Sequence, residues 1–129
     1  LQPVACATLA ARGDASPLAM APAVLGFRNA LMAETAARWS ARLGPLTEGL
    51  QTAQDIADWA RDSGAAQIVT AHAPVGPVAD TLRAVSGLPV VRPLRNHDRR
   101  AWPHAKAGFF KFKAQIPRLL DEMNLRQAA

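Results

Sequence analysis

Apolar residues recur at helical spacing from about Phe27 to Leu43. Met32, Ala36, Trp39 and Leu43 fall on one stripe, while Glu34, Arg38 and Arg42 fall on another face and can pair at i,i+4. The pattern predicts a helix ended by Gly44-Pro45. A second helix is predicted from Thr52, whose hydroxyl can cap while Asp55 stands three residues on, at the capping-box spacing. Its buried side is Ile56, Trp59 and Ala60, and its stop is Gly64. Trp39 and Trp59, each on an apolar stripe, are expected in the core. The period then shortens. Gln67 to Ala71 reads as a buried strand, His72 to Pro77 as a loop, Val78 to Val85 as a third helix stopped by Gly87, and Leu88 to Arg92 as a strand. A last helix is expected over about Phe110 to Leu125, interrupted or re-entered at Pro117. Pro17 to Ala21 and Leu46 to Glu48 are weaker strand candidates, the second broken up by Gly44, Pro45 and Gly49. The first dozen residues fit either a helix or a strand.

Helices alternating with short strands argue for an α/β chain. The expectation is a small doubly wound, Rossmann-like, three-layer domain over residues 1–129, a parallel sheet with helices on both faces and right-handed crossovers. With 129 residues, half of them hydrophobic, the chain can bury one core of modest size. Its only cysteine, Cys6, excludes an internal disulfide framework and fits a reducing compartment. No apolar run reaches the roughly 18 residues of a membrane span, and the alanine-rich start lacks the charged region of a signal peptide. A soluble, cytoplasmic chain is therefore expected. Leu1, in place of an initiator methionine, suggests a piece of something longer.

Charge and aromatic content change the picture at the C-terminal end. Trp102, Phe109, Phe110 and Phe112 gather four of the seven aromatic residues into eleven positions. Between Arg92 and Arg118 eight Lys or Arg face one acid, Asp98, so this segment carries +7 in a chain whose net charge is +5. A basic, aromatic segment (98–129, with its helix) on a slightly acidic body suggests docking to something anionic or to a partner surface. Trp102, Phe109, Phe110, Lys111, Phe112 and Lys113 are the candidate interface, with phenylalanines as anchors and lysines at the rim. An amphipathic helix with solvated lysines is the plainer reading. Direct DNA binding would show as a steep loss of affinity with salt.

A second candidate lies where a loop leaves the C-terminal end of a strand, the place at which open α/β sheets bind ligands. His72 to Pro77 is such a loop, and Gly76, opening a helix, can present backbone N–H groups to a phosphate. His72 and Gly76 are thus the candidate cofactor residues, although Pro74 and Pro77 remove donors and no G-x-G-x-x-G or Walker pattern is present. His97, Asp98 and His104 match no common zinc spacing and read as solvated loop residues. Cys6 has no base near it in sequence, and no G-x-S-x-G elbow, H-E-x-x-H or carboxylate pair is present. Nothing in the chain is catalytic by itself on this reading.

The order of elements from Ser16 onward resembles the α/β domain of the DNA photolyase and cryptochrome family. The residues that carry the resemblance are Leu18 to Pro22, as a strand and proline-marked loop, and the helix from Phe27-Arg28-Asn29-Ala30-Leu31 to Leu43. Leu46 to Gly49, Asp55-Ile56-Ala57-Asp58-Trp59-Ala60 and Gly64-Ala65-Ala66-Gln67-Ile68-Val69 follow, then Pro74 to Val85, a last strand and Asp98. Gly108-Phe109-Phe110-Lys111-Phe112-Lys113 looks like the segment by which that domain hands over to the rest of the protein. The family's first strand has no counterpart before Ser16, and its large helical domain lies outside these residues. The resemblance implies an accessory, antenna-type domain that is not catalytic alone, within a flavoprotein for light-dependent DNA repair or signalling. FAD and an antenna chromophore are then expected in a full-length parent, the helical flavin-binding domain is the partner, and DNA is reached through that parent.

A second resemblance is to universal stress proteins, a family of the same superfold. Gly76-Pro77-Val78 to Gly87, then Leu88-Pro89-Val90-Val91-Arg92, is similar to the end of such a domain, with His72 and Ala73 where the first glycine of its phosphate loop would stand. That resemblance implies a stand-alone regulator binding ATP at the Gly76 loop, with a homodimer edge strand near Val90.

Overall fold

The computed structural model describes residues 1–10 and 18–125. They form a mixed α/β chain in the order β1 (Cys6–Leu9), α1 (Pro22–Leu43), β2 (Leu46–Leu50), α2 (Ala53–Asp62), β3 (Ile68–Val69), α3 (Pro77–Ala84), β4 (Val90–Val91), α4 (Asn96–Ala101), α5 (Phe109–Lys113) and α6 (Ile116–Glu122). A 3-10 turn, Trp102–His104, follows α4. Two compact units result, Leu1–Arg92 and Pro93–Ala129.

In the first unit each pair of strands is parallel and is joined through a helix. β1 pairs with β2, and β3 with β4, as two separate two-stranded sheets. Among the described residues no wider sheet forms, so the coarse α/β architecture holds and the continuous three-layer sheet does not appear as such. β1 resolves the ambiguous start of the chain as a strand. The expected strand at Pro17 to Ala21 does not form: Leu18 to Ala21 are irregular and Pro17 lies outside the described residues. The reason is Pro22, which occupies the first turn of α1 and starts that helix five residues ahead of the apolar stripe.

Gly44 ends α1 and sets the β1–β2 register. Its φ of 99° turns the chain back, and a Cβ there would stand 2.8 Å from the Val4 carbonyl oxygen. The turn brings the Pro45 carbonyl to the Cys6 N–H at 2.9 Å and the Gly44 carbonyl to the Cys6 Sγ at 3.4 Å. Cys6 then faces Leu46 and Ala7 faces Thr47, but Leu9 faces Leu50, so β2 carries a bulge. Gly49, at φ 77°, takes up the extra residue, and its N–H donates to the Thr8 hydroxyl at 3.0 Å. The glycine that weakens this strand in the sequence is what lets it pair.

α2 follows its sequence signals closely. The Asp55 N–H donates to the Thr52 hydroxyl at 3.1 Å and the Thr52 N–H to the Asp55 carboxylate at 2.9 Å, a full capping box. At the other end Gly64 has φ 65°, the Gly64 N–H reaches the Arg61 carbonyl, and the Ala65 N–H reaches that of Ala60, which together make a Schellman stop. Ile56 and Ala60 of α2, Ile68 of β3 and Leu82 of α3 are the buried centre, against which Leu9, Leu50, Trp59, Val85, Leu88 and Val90 pack. All four strands thus feed one core. That core is thin, because four of the seven buried hydrophobic residues described in this unit are alanines. Trp59 lies partly buried there with its indole N–H unpartnered among the described residues. Trp39, expected in the core, is instead 44% exposed with Arg42 over its ring at 5.7 Å, since a two-stranded sheet is too narrow to cover that end of α1.

In the second unit, residues expected as loop form α4. Its six residues, Asn96 to Ala101, are almost all polar, so periodicity had nothing to register. The last helix is divided as Pro117 requires: it lacks an N–H and its ring would meet the carbonyl of Lys113, so α5 stops there and α6 begins at Ile116. Leu119 is the buried residue of this unit among those described. Among the described residues no helix is long and apolar enough to cross a membrane.

Gly44→Ala is expected to cost about 1–3 kcal/mol in urea denaturation, because the new methyl meets backbone rather than a movable side chain. Thr52→Ala should cost about 1 kcal/mol through loss of the cap, with Thr52→Ser restoring most of it.

Candidate functional site

The densest concentration of unusual chemistry lies in Trp102–Lys113. Gly108 opens α5 without a side-chain cap, and the short helix then displays Phe109 and Phe110 to solvent, 64% and 83% exposed. The two rings touch edge to face, with centroids 5.7 Å apart and planes at 66°. Lys111 and Lys113 are exposed on the same turn, and Lys106 precedes it. None of these lysines belongs to an ion pair among the described residues. Trp102 is half exposed at the 3-10 turn. Phe112, expected as an interface anchor with the other two, is half buried; two positions from Phe110, it stands on the other side of the helix from that ring, while Phe109, three positions away, lies nearer its own side. Phe109, Phe110, Lys111 and Lys113 are thus exposed, and Phe112 is half buried.

The arginines of this unit are largely engaged. Arg95 Nε pairs with Asp98 at 2.8 Å, Arg100 donates to the Glu122 carbonyl at 2.8 Å, and Arg118 Nε lies 3.4 Å from Glu122. Arg118 also donates to His104 Nε2 at 3.2 Å, and His97 Nε2 lies 3.5 Å from Asp98. His97, Asp98 and His104 are therefore helix and turn residues held in a cationic network. His97 and Asp98 are neighbours, but no group of three metal-ligating side chains forms among the described residues.

The His72–Pro77 loop leaves the C-terminal end of β3, after Thr70 donates to the Val91 carbonyl at 3.0 Å. His72 is exposed, and Gly76, with φ 134°, caps α3 and accepts from Asp80 N–H at 3.0 Å. Pro77 occupies the first turn, and Asp80 in that turn pairs with Arg83 at 2.6 Å. The negative charge that a helix N-terminus favours is already supplied by Asp80, which would repel a phosphate placed at Gly76. Among the described residues the carboxyl with a shifted pKa is Asp58, which the Gln54 amide and the Arg61 guanidinium beside it hold below the usual carboxylate range. Asp58 lies on the solvent side of α2 and contributes to stability above its unfolded pKa, a contribution lost as pH falls through the lowered value.

One feature was not legible as a site in the sequence. Thr8 and Leu9 of β1 face Val24, Phe27, Arg28 and Leu31 of α1 across an open groove of about 550 Å³. Arg28 Nε is buried there without a hydrogen-bond partner among the described residues. The available signal was a second apolar row, Val24, Phe27 and Leu31, beside the stripe that contains Ala36.

Compared with protein-family models, with curated proteins and with solved structures, the chain matches none of them.

Phe110→Ala should leave stability within about 0.5 kcal/mol of the parent, as surface substitutions do. Phe112→Ala should cost about 1–2 kcal/mol, part of the loss for a fully buried ring. Chemical denaturation of both variants checks the assignment of one ring to the surface and the other to packing.

Proposed function

We propose that the chain is an accessory α/β module that docks onto a helical partner domain, in the manner expected of the antenna-type domain of a photolyase- or cryptochrome-like flavoprotein. The observation that carries the reading is the exposed Phe109–Phe110 pair rimmed by Lys106, Lys111 and Lys113. Two large rings held side by side in water are costly to leave uncovered and suit the apolar centre of an interface, with cations at its rim. The two strand–helix–strand units, each with parallel pairing, support the reading as a small α/β module. In this reading the module does no chemistry itself. FAD and an antenna chromophore belong to the full-length cytoplasmic parent, which meets DNA.

The alternative, an ATP-binding regulator related to universal stress proteins, rests on His72 and Gly76. The Asp80 carboxylate in the first turn of α3 weighs against it.

The test is the intact mass and the near-ultraviolet and visible spectrum of the natural gene product purified in dim light. Flavin-like absorption, with Phe109→Asp and Phe110→Asp releasing the module from its helical partner in limited proteolysis, is the expected result. A colourless product that binds ATP, and loses it on Gly76→Val, would replace this reading with the regulator.

A further inference from the structure

β1 is paired along one edge. In a parallel ladder alternate residues of a strand turn both backbone groups toward the same neighbour. The Cys6 N–H donates to the Pro45 carbonyl and the Ala10 N–H to that of Leu50, at 2.7 Å, so Cys6, Thr8 and Ala10 face β2. Ala7 and Leu9 turn their N–H and C=O groups the other way, where no strand among the described residues pairs with them. Parallel strands are ordinarily covered on both faces. Here all four residues of β1 are only half buried, and most of β2 is exposed.

The groove described above adjoins β1. Its far wall is the row Val24, Phe27 and Leu31 on α1, apolar side chains left 51%, 67% and 47% exposed. Arg28 adds a donor, Nε, that is shielded from water and has no acceptor among the described residues. An unpaired strand edge, an uncovered apolar helix face and an orphaned donor thus meet in one place.

We propose that this groove is a strand-acceptor site, in which an extended apolar segment of a partner polypeptide adds to the free edge of β1. Only an extended backbone repeats donors and acceptors at the two-residue interval set by Ala7 and Leu9, about 7 Å. A helix or a compact apolar molecule would cover Phe27 and Leu31 but leave those groups unpaired. β1 has four residues, so the added strand is about as long, with alternate side chains against α1. The inference concerns the first unit alone and does not depend on the flavoprotein reading.

The experiment uses the full 15N-labelled chain and, as probe, a blocked peptide of alternating valine and threonine flanked by lysines. Amide hydrogen exchange is read by NMR. The expected result is that the Ala7 and Leu9 amides exchange about tenfold more slowly with peptide present, while those of Phe109 to Lys113 do not change. Ala7→Pro removes an N–H from the free edge and spares the ladder to β2, so peptide affinity should fall about tenfold with the circular dichroism unchanged. Should that variant unfold, Leu31→Lys, at an exposed position, is expected to weaken the peptide similarly. Three results would overturn the proposal. One is unchanged exchange at Ala7 and Leu9 at millimolar peptide. Another is equal binding of a peptide N-methylated at alternate residues. The third is protection of this edge that rises with protein concentration in the absence of peptide, which would make the occupant a second copy.

Discussion

The close approach of Gly44 to the backbone of Val4 is the constraint on which the first unit depends. Parallel strands cannot be joined by a tight turn, so the chain must climb α1 and come back in register with where it began. The return is made at one residue, where the absence of a Cβ lets the chain pass the Val4 carbonyl and set the Pro45 oxygen on the Cys6 N–H. From that bond follow the β1–β2 ladder, the bulge at Gly49 and the placement of α1 beside β1. The groove between β1 and α1 exists because this joint fixes both of its walls.

What the joint positions, a thin core must hold. Ile56, Ile68 and Leu82 supply most of the buried volume, and the alanines at 36, 57, 60 and 79 allow close approach but contribute little area. The cap and Schellman stop of α2 matter more in such a setting, since each is a sizeable share of a small net stability. The same scarcity explains why α1 keeps Trp39 and Phe27 in solvent. There is not enough sheet beneath a 22-residue helix to cover them.

The two surfaces proposed for recognition are physically unlike. At Phe109 and Phe110 the chain offers rings and lysines from a short helix, a surface that any apolar partner of suitable shape and negative rim could cover. At β1 it offers a row of backbone groups, which demands a particular conformation of its partner and is tolerant of sequence. Asp58, a carboxyl with a lowered pKa, belongs to neither surface and is part of an exposed helix network.

The sequence by itself determined the local structure wherever a signal was confined to a few neighbouring residues. The Thr52–Asp55 box, the stop at Gly64, the break at Pro117 and the helix before Gly44 depend on contacts within one turn, and each lies where the residues place it. It also determined the basic, aromatic character of the C-terminal segment, which is composition alone. Tertiary structure decided which of those aromatics face water, because Phe110 and Phe112 differ in which side of a helix meets the rest of the unit. It decided that Trp39 is exposed and that β1 begins the sheet, since both depend on how many strands assemble. Pro17 to Ala21 reads as a strand and the first dozen residues as either a helix or a strand; pairing with β2 made Cys6 to Leu9 the strand, while Pro22 starts α1 directly after Ala21. Strand pairing and burial are long-range properties: they belong to pairs of segments some forty residues apart, such as Cys6 and Leu46, and no window along the chain contains both.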